Sequence, residues 1–319
     1  MRNVLAAMAV CLSTMLTTQA VAQTGAPLLI EPWPEDVYAQ HRPEVQLWRT
    51  HTKGQADEDV DFVSFRDRAR YRLDPTDPRS PSVGYDVYGL NLSTDDPALP
   101  PRLVDVSVGT GLLLHEDEQW TISMPLAVGF AGTRPFNDGR AWYGKASILA
   151  FQRLDERSQL MFALEYNGNR AILPDVPIPG FAYIRQMSDT LRMTLGAPVS
   201  GVDWRPDDHW HLRFNYYVFA FDLDVRYHIT REWAMFASFN QHQRAFHQHG
   251  DDRHRRLFFR QRHAELGTRW QVADRIELIA AGGYTFGSRL QRGYDIRDTD
   301  TIRHFSDTPY VRLGLSASF

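Results

Sequence analysis

The sequence predicts an all-β fold: a transmembrane antiparallel β-barrel of about twelve strands, within a range of roughly ten to fourteen. Three observations carry this prediction. Apolar residues recur with a period of two along many segments. These segments run for about ten residues or more, beyond the mode of about 5–6 for soluble strands and near the roughly 9–11 of a tilted membrane strand. Short polar turns alternate with longer connections, as they do at the two ends of a membrane barrel. A soluble β-sandwich also alternates, and strand length is what argues against it.

The first element is an address. Arg2 supplies a positive start, Val4 to Leu16 an apolar run, and Ala20-Val21-Ala22 the small residues that signal peptidase reads. Residues 1–22 are expected to be a cleaved signal peptide. Cys11, the only cysteine, lies in that segment. The exported chain is therefore expected to hold neither a disulfide nor a thiol nucleophile. Residues 23–58 contain Pro27, Pro32, Pro34 and Pro43 with Trp33 and Trp48, at a period of neither 2 nor 3.6. They read as an extended periplasmic tether or a lumen plug. The barrel is expected over 59–319.

From about residue 60 the strands follow in order. In the first, Arg66, Arg68, Arg70 and Arg72 share one face, while Phe65, Ala69 and Tyr71 share the other. Val104, Val106, Val108, Thr110, Leu112 and Leu114 form the apolar face of the next. The cleanest case is Trp120, Ile122, Met124, Leu126, Val128 and Phe130, separated by small or polar residues. Leu160, Phe162, Leu164 and Tyr166 continue the pattern. So do Phe219, Phe221, Leu223, Val225, Tyr227 and Ile229, then Ile276, Leu278 and Ala280, and finally Val311, Leu313, Leu315, Ala317 and Phe319. The complete set predicted is 60–73, 102–114, 119–131, 141–153, 159–167, 187–203, 208–216, 219–229, 233–243, 257–271, 275–287 and 309–319. Residues 84–93 also look strand-like, and are left in a long first external loop.

Short turns fall near 115–119, 155–158, 205–209, 230–232 and 273–275, and longer connections at 132–140, 167–180, 242–256 and 288–308. Near Tyr217 the apolar register switches from even to odd, which reads as a tight hairpin or a bulge. Trp120, Trp204, Trp210, Trp233 and Trp270 all sit beside short turns. Indole favours the headgroup interface, so these predict a periplasmic aromatic girdle.

On these features the chain resembles bacterial outer-membrane β-barrel proteins over residues 60–319. The signal peptide, the amphipathic strands and the final strand ending in Phe319 carry the likeness. By that resemblance Phe319 is the signal read by the barrel assembly machinery, with periplasmic chaperones as further partners. Leu173-Pro174, Leu195-Gly196-Ala197-Pro198 and Trp204-Arg205-Pro206 are similar to an uncharacterised family of predicted outer-membrane barrels known only as a domain of unknown function. That family brings no established activity.

Lys+Arg is 35 and Asp+Glu is 39, a net charge of -4 that gives no electrostatic case for nucleic acid. The arginines at 66, 68, 70 and 72 are expected to line the lumen, with Asp222, Asp224 and Glu265 facing them. Either these charges interlock and plug a narrow pore, or they select polar solutes by charge. Arg260 and Arg262 are placed on the outer face beside Phe258, near an external loop, where they would meet lipopolysaccharide phosphates. Ser238 and His242 share one strand face in the spacing of a nucleophile and a base, but that face points into the lumen. His247, His249 and His254, with Asp251 and Asp252, lie in one loop without a second ligand pair on a rigid element. The expectation is thus a non-enzymatic, porin-like pore or small-solute translocator of the outer membrane, with no cofactor, metal or catalytic residue. A closed structural or adhesive barrel acting through its external loops is the alternative, and a lipid-modifying enzyme is a third.

Overall fold

The computed structural model describes residue 33 and residues 37–53, 58–77, 79–217, 220–250 and 255–319. The expected signal peptide lies outside them. The chain forms β1 (Ala39–Lys53), β2 (Asp59–Arg72), β3 (Ser82–Ser93), β4 (Arg102–Glu116), β5 (Trp120–Gly132), β6 (Trp142–Arg153), β7 (Ser158–Asn167), β8 (Ile178–Ser188) and β9 (Leu191–Ala197). It continues with β10 (Val199–Trp204), β11 (Trp210–Tyr217), β12 (Ala220–His228), β13 (Trp233–Phe246), β14 (Arg256–Ala273), β15 (Ile276–Gly293), β16 (Thr299–Phe305) and β17 (Thr308–Ser318). Each pairs antiparallel with its neighbour, and β17 returns to β1 from Gln40↔Ser318 to Trp48↔Tyr310, closing the sheet. β16 and β17 run end to end against β15 and β1, and count as one wall strand. The result is a closed antiparallel barrel of 16 strands.

Twelve strands was too few, for identifiable reasons. β1 carries Pro43 and puts a polar set inward (Gln40, Arg42, Glu44, Gln46), so its apolar pattern is faint; it also moves the start of the barrel from 59 to 39. β3 lies in the segment assigned to a loop. β8 overlaps the predicted loop 167–180. The stretch 187–203, read as one strand, is the end of β8 plus a hairpin of β9 and β10 that folds back at Ala197 and Pro198. The loops at 242–256 and 288–308 are shorter than expected, because β13, β14, β15 and β16 extend into them.

The alternation assigns the faces. Inside are the even residues of β1 and β2 and the odd residues of β4 and β5; outside are Val104 to Leu112 and Leu126, Val128, Val311 and Leu313. Trp120, Trp204, Trp210, Trp233 and Trp270 all lie at the end that also holds Tyr38 and Phe319. Phe319 is tied into the seam, its carbonyl accepting from the Tyr38 and Ala39 amides and its own amide donating to Ala39.

The two halves of the interior differ. Toward the long loops, Trp48, Val60, Phe62, Leu90, Leu103, Phe246, Leu257, Phe259, Leu290 and Phe305 form a buried apolar cluster. Phe62 is at its centre, stacked on Trp48 at 4.9 Å and edge-on to Phe305 at 5.2 Å. Toward the short turns, the interior is polar. The upper part of β13 makes the change possible. It leaves β12 after the rung Asp222↔Asn240 and ends at His247, which bridges to Gly132 of β5. Sixteen strands give a lumen wide enough for water, and the crossing strand narrows it at one end only.

Candidate functional site: a charged lumen under an apolar cap

A cavity of about 980 Å³ occupies the polar half. Its rim includes Asp189, Thr190 and Arg205 to Asp208, all at the short-turn end; its inner limit is set by His242, His263 and Tyr310. Tyr310 also belongs to the apolar cluster, so the cavity ends where the cap begins.

Of the seven residues expected in the lumen, Arg66, Arg68, Asp222, Asp224 and Glu265 line the cavity, Arg70 and Arg72 lie against Trp33 instead, and the seven do not form one ladder facing one row of acids. Arg66 makes a two-pronged pair with Asp86, Nε to Oδ1 at 3.1 Å and Nη2 to Oδ2 at 2.8 Å. Arg70 is fully buried and donates to Gln40 at 2.8 Å. Its guanidinium lies 4.1 Å from the Trp33 ring centre, and that of Arg72 lies 4.9 Å from it. A tryptophan of the Pro-rich segment therefore sits against the two arginines nearest the short-turn end. Arg68 is 9% exposed, its Nε is without a hydrogen bond, and it lines the cavity opposite Arg42 of β1.

Glu265 is the most fully engaged acid. It accepts from Ser238 Oγ at 3.0 Å, Tyr310 OH at 2.9 Å and Arg312 Nη2 at 2.6 Å. Ser238 thus donates its hydrogen bond to a carboxylate rather than to a histidine, and the His242 ring centre lies 5.6 Å from that of His263. Asp224 Oδ1 lies 3.5 Å from Arg226 Nη2, and the Oδ1 atoms of Asp222 and Asp224 are buried without a hydrogen bond.

A latch missed by sequence reasoning marks the boundary between cavity and cap. Arg244, on the crossing part of β13, donates to Asp105 of β4 at 3.2 Å and covers the Tyr88 ring at 4.0 Å. Tyr143 OH donates to the other oxygen of Asp105 at 2.6 Å. Gly129 makes room, since a Cβ there would lie 2.3 Å from the Tyr143 ring. Asp105 and Arg244 are 139 residues apart in the chain, so no local spacing signals them.

On the outside, Arg260 and Arg262 both donate to Gln241 Oε1 at 3.1 Å. Arg289, on the rung opposite Arg260, joins them. Phe258, read as lipid-facing, is instead covered with Ala171, Ala245 and Ile296 by two loops. Among the described residues no group of three metal-ligating side chains forms; His254, Asp251 and Asp252 lie outside them.

No family model and no curated protein matches the chain. Solved structures similar to it include a bacterial polysaccharide outer membrane secretin, at TM-score 0.45 and 9% identity over 90% of this chain and 100% of the other. The toluene transporter TodX of Pseudomonas putida gives 0.42 and 9% over 95% and 94%. A FadL homologue of Pseudomonas aeruginosa gives 0.41 and 11% over 93% of each chain. The chain is a closed antiparallel β-barrel, similar in outline to these proteins and far from them in sequence.

Proposed function

We propose that this chain is a non-enzymatic translocator of the bacterial outer membrane. Its lumen is a charged vestibule open to the periplasm and held shut at the outer end by the apolar cluster. The single observation that carries the reading is the cavity of about 980 Å³, lined by Arg66, Arg68, Asp222, Asp224 and Glu265 and capped by Tyr310 and the aromatic residues behind it. Charged walls facing water select polar solutes, and an apolar constriction gates by excluding water. Arg68, buried and aimed at the cavity, is the leading selectivity residue. Planar-bilayer recording tests this. The wild type is expected to be silent, and Phe62→Ala with Phe259→Ala to pass a steady current; silence from both ends the translocator reading.

A closed structural barrel is the second reading, favoured by the cap itself and by loop contacts such as Arg256 Nη2 to the Arg170 carbonyl at 3.0 Å. It is the reading that remains if the cap variant stays silent. On the outer surface, Arg260, Arg262 and Arg289 are assigned to lipopolysaccharide phosphates, which arginine binds through two donors at once. Unchanged lipopolysaccharide co-purification with the triple alanine variant removes that assignment. Phe319 is assigned to recognition by the assembly machinery; wild-type membrane levels after its deletion would contradict this.

A further inference from the structure

A second recess lies on the outer wall, apart from the lumen. Its volume is about 450 Å³, within the roughly 300–1,000 Å³ of small-ligand sites. Register fixes its place. Trp142 and Gly144 alternate with the inward Tyr143 and Lys145 and so face outward, as does Tyr166 on the rung opposite Ala146. Trp142 starts β6, and Gln152, the rung partner of Trp120, lies near its other end. From 152 to 142, at about 3.3 Å per residue and a tilt of about 40°, the strand rises about 25 Å, the full height of the apolar band. The recess therefore opens at the outer interface, where lipopolysaccharide turns from acyl chains to sugar.

Its walls are built from unlike groups. The Trp142 indole is half-exposed and held by Phe130 and Phe136, at 5.7 and 5.9 Å between ring centres. The floor is two glycines, the Gly168 amide donating to the Gly144 carbonyl at 3.0 Å. A Cβ on Gly144 would meet only the Tyr166 ring, 3.8 Å away, so the floor beside that ring is bare. Asp175 stands across from the indole, its Oδ1 accepting from Tyr166 OH at 2.7 Å. A Cβ on Gly168 would come within 3.0 Å of that same oxygen. His247 closes the inner side, at the end of the crossing strand. Arg140 lies at the rim, and its charge is met by Asp138 through bonds of 3.0 and 2.9 Å.

The two bordering loops are held in costly shapes. The non-glycine residues of positive φ among those described are Phe136, Leu173 and Asp175, at 57°, 48° and 60°, and all three lie on these loops. Aspartate tolerates this region, whereas leucine and phenylalanine rarely enter it. Backbone of this kind persists only where the surroundings over-determine it, and it clusters at ligand sites. Here the surroundings include buried Arg170, which donates to the Leu173 and Val176 carbonyls at 3.4 and 3.0 Å and so sets Asp175 in place.

We propose that this recess is a saccharide site, in which the Trp142 indole covers the C–H face of a pyranose while Asp175 and His247 take the hydroxyls at its edge. A sugar has an apolar face and a rim of donors and acceptors, and so does the recess. A phosphate would meet the Asp175 carboxylate and a guanidinium already neutralised. An alkyl chain would bury Asp175 and His247 without partners, which is costly. The site shares no lining residue with the lumen cavity and does not depend on the translocator reading. Two sources present this chemistry: the core sugars of the surrounding lipopolysaccharide and a glycan in the medium.

The test uses the full chain in phosphatidylglycerol nanodiscs free of lipopolysaccharide. Methyl glycosides of glucose, galactose, mannose and heptose are observed by saturation-transfer NMR. At least one is expected to show transfer, strongest at the C–H protons of one ring face. Gly144→Leu fills the bare floor, and it and Trp142→Ala should each lower the transfer at least about fivefold. A side chain fits at Gly144 without a clash, so that variant decides should Trp142→Ala fail to fold. Transfer from none of the glycosides, or transfer unchanged by Gly144→Leu, overturns the site. Tighter binding of tetramethylammonium in competition with the glycoside overturns the saccharide class, in favour of a cation held by the rings and Asp175. Core-only lipopolysaccharide added to the nanodisc then assigns the source, and both of its outcomes keep the site. Loss of the glycoside signal places the lipid's own sugar in the recess, and an unchanged signal assigns it to a soluble glycan.

Discussion

Replacing Asp105 by alanine attacks the latch at its centre. The carboxylate takes one hydrogen bond from Arg244 at 3.2 Å and one from Tyr143 at 2.6 Å. Both ionic partners are largely shielded, their side chains 13% and 16% exposed. Removing one member of such a pair leaves a buried charge uncompensated, at a cost of about 3–5 kcal/mol. The Tyr143 hydroxyl also loses its acceptor, but in a polar lumen water can replace part of that bond, so we expect the lower end of the range, about 3 kcal/mol. Arg244→Leu removes the orphaned cation. The double variant should then be more stable than the sum of the single losses predicts, by roughly 0.5–3 kcal/mol, the coupling of residues in contact. Urea unfolding in lipid vesicles, followed by tryptophan fluorescence, supplies the three differences. Additivity within about 0.5 kcal/mol would refute the latch, because it would mean the two side chains do not sense each other. Since Arg244 holds the crossing part of β13, the single variants should also flicker open in bilayer recordings.

Three further outcomes follow from the same geometry. Arg68→Glu should shift the reversal potential of the cap-opened channel toward cations, because Arg68 lines the cavity; an unchanged potential removes it as a selectivity residue. Trp33→Ala should make Arg70 and Arg72 react faster with phenylglyoxal, through loss of the ring lying 4.1 and 4.9 Å from them, and equal rates would place Trp33 elsewhere in solution. In the turn between β4 and β5, Asp117 is held down to about 2, chiefly by the Trp120 amide, then by the His115 side chain and the Gln119 amide. A depressed carboxylate contributes stability that is complete above its ordinary value near 3.8 and is lost as pH falls through its folded value. Carboxyl-carbon titration should therefore place its midpoint near pH 2, with the turn amides losing protection between about pH 4 and 2; a midpoint near 3.8 contradicts the hydrogen-bonded turn.

Where a strand has one apolar and one polar face, the sequence was enough. Trp120 to Phe130 and the even arginines of β2 point where their alternation says. The missed strands fail that condition. β1 sets Pro43 and His41 among its outward residues, and β3 sets Gly89 and Asn91 there, so neither shows an unbroken apolar row. The hairpin at Ala197 and Pro198 hides because apolar residues run through the turn itself, so no polar marker separates its two strands. The inward direction of the lumen charges was readable from parity. Their partners were not: Arg66 finds Asp86 and Arg312 finds Glu265 across strands whose register no single sequence states. The cap was hidden for a further reason. Phe62, Phe259 and Phe305 come from β2, β14 and β16, segments far apart in the chain that closure of the sheet brings near one another.

The central claim is a lumen wet from the periplasm and sealed from the outside. Cysteine accessibility at Ser238 reads it directly. In a Cys11→Ser background, Ser238→Cys should resist a membrane-impermeant maleimide added to intact cells and react readily once the reagent enters the periplasm. Rapid labelling from outside the intact cell would mean that the aromatic cap does not close the barrel. No labelling from either side would mean that the vestibule does not exist.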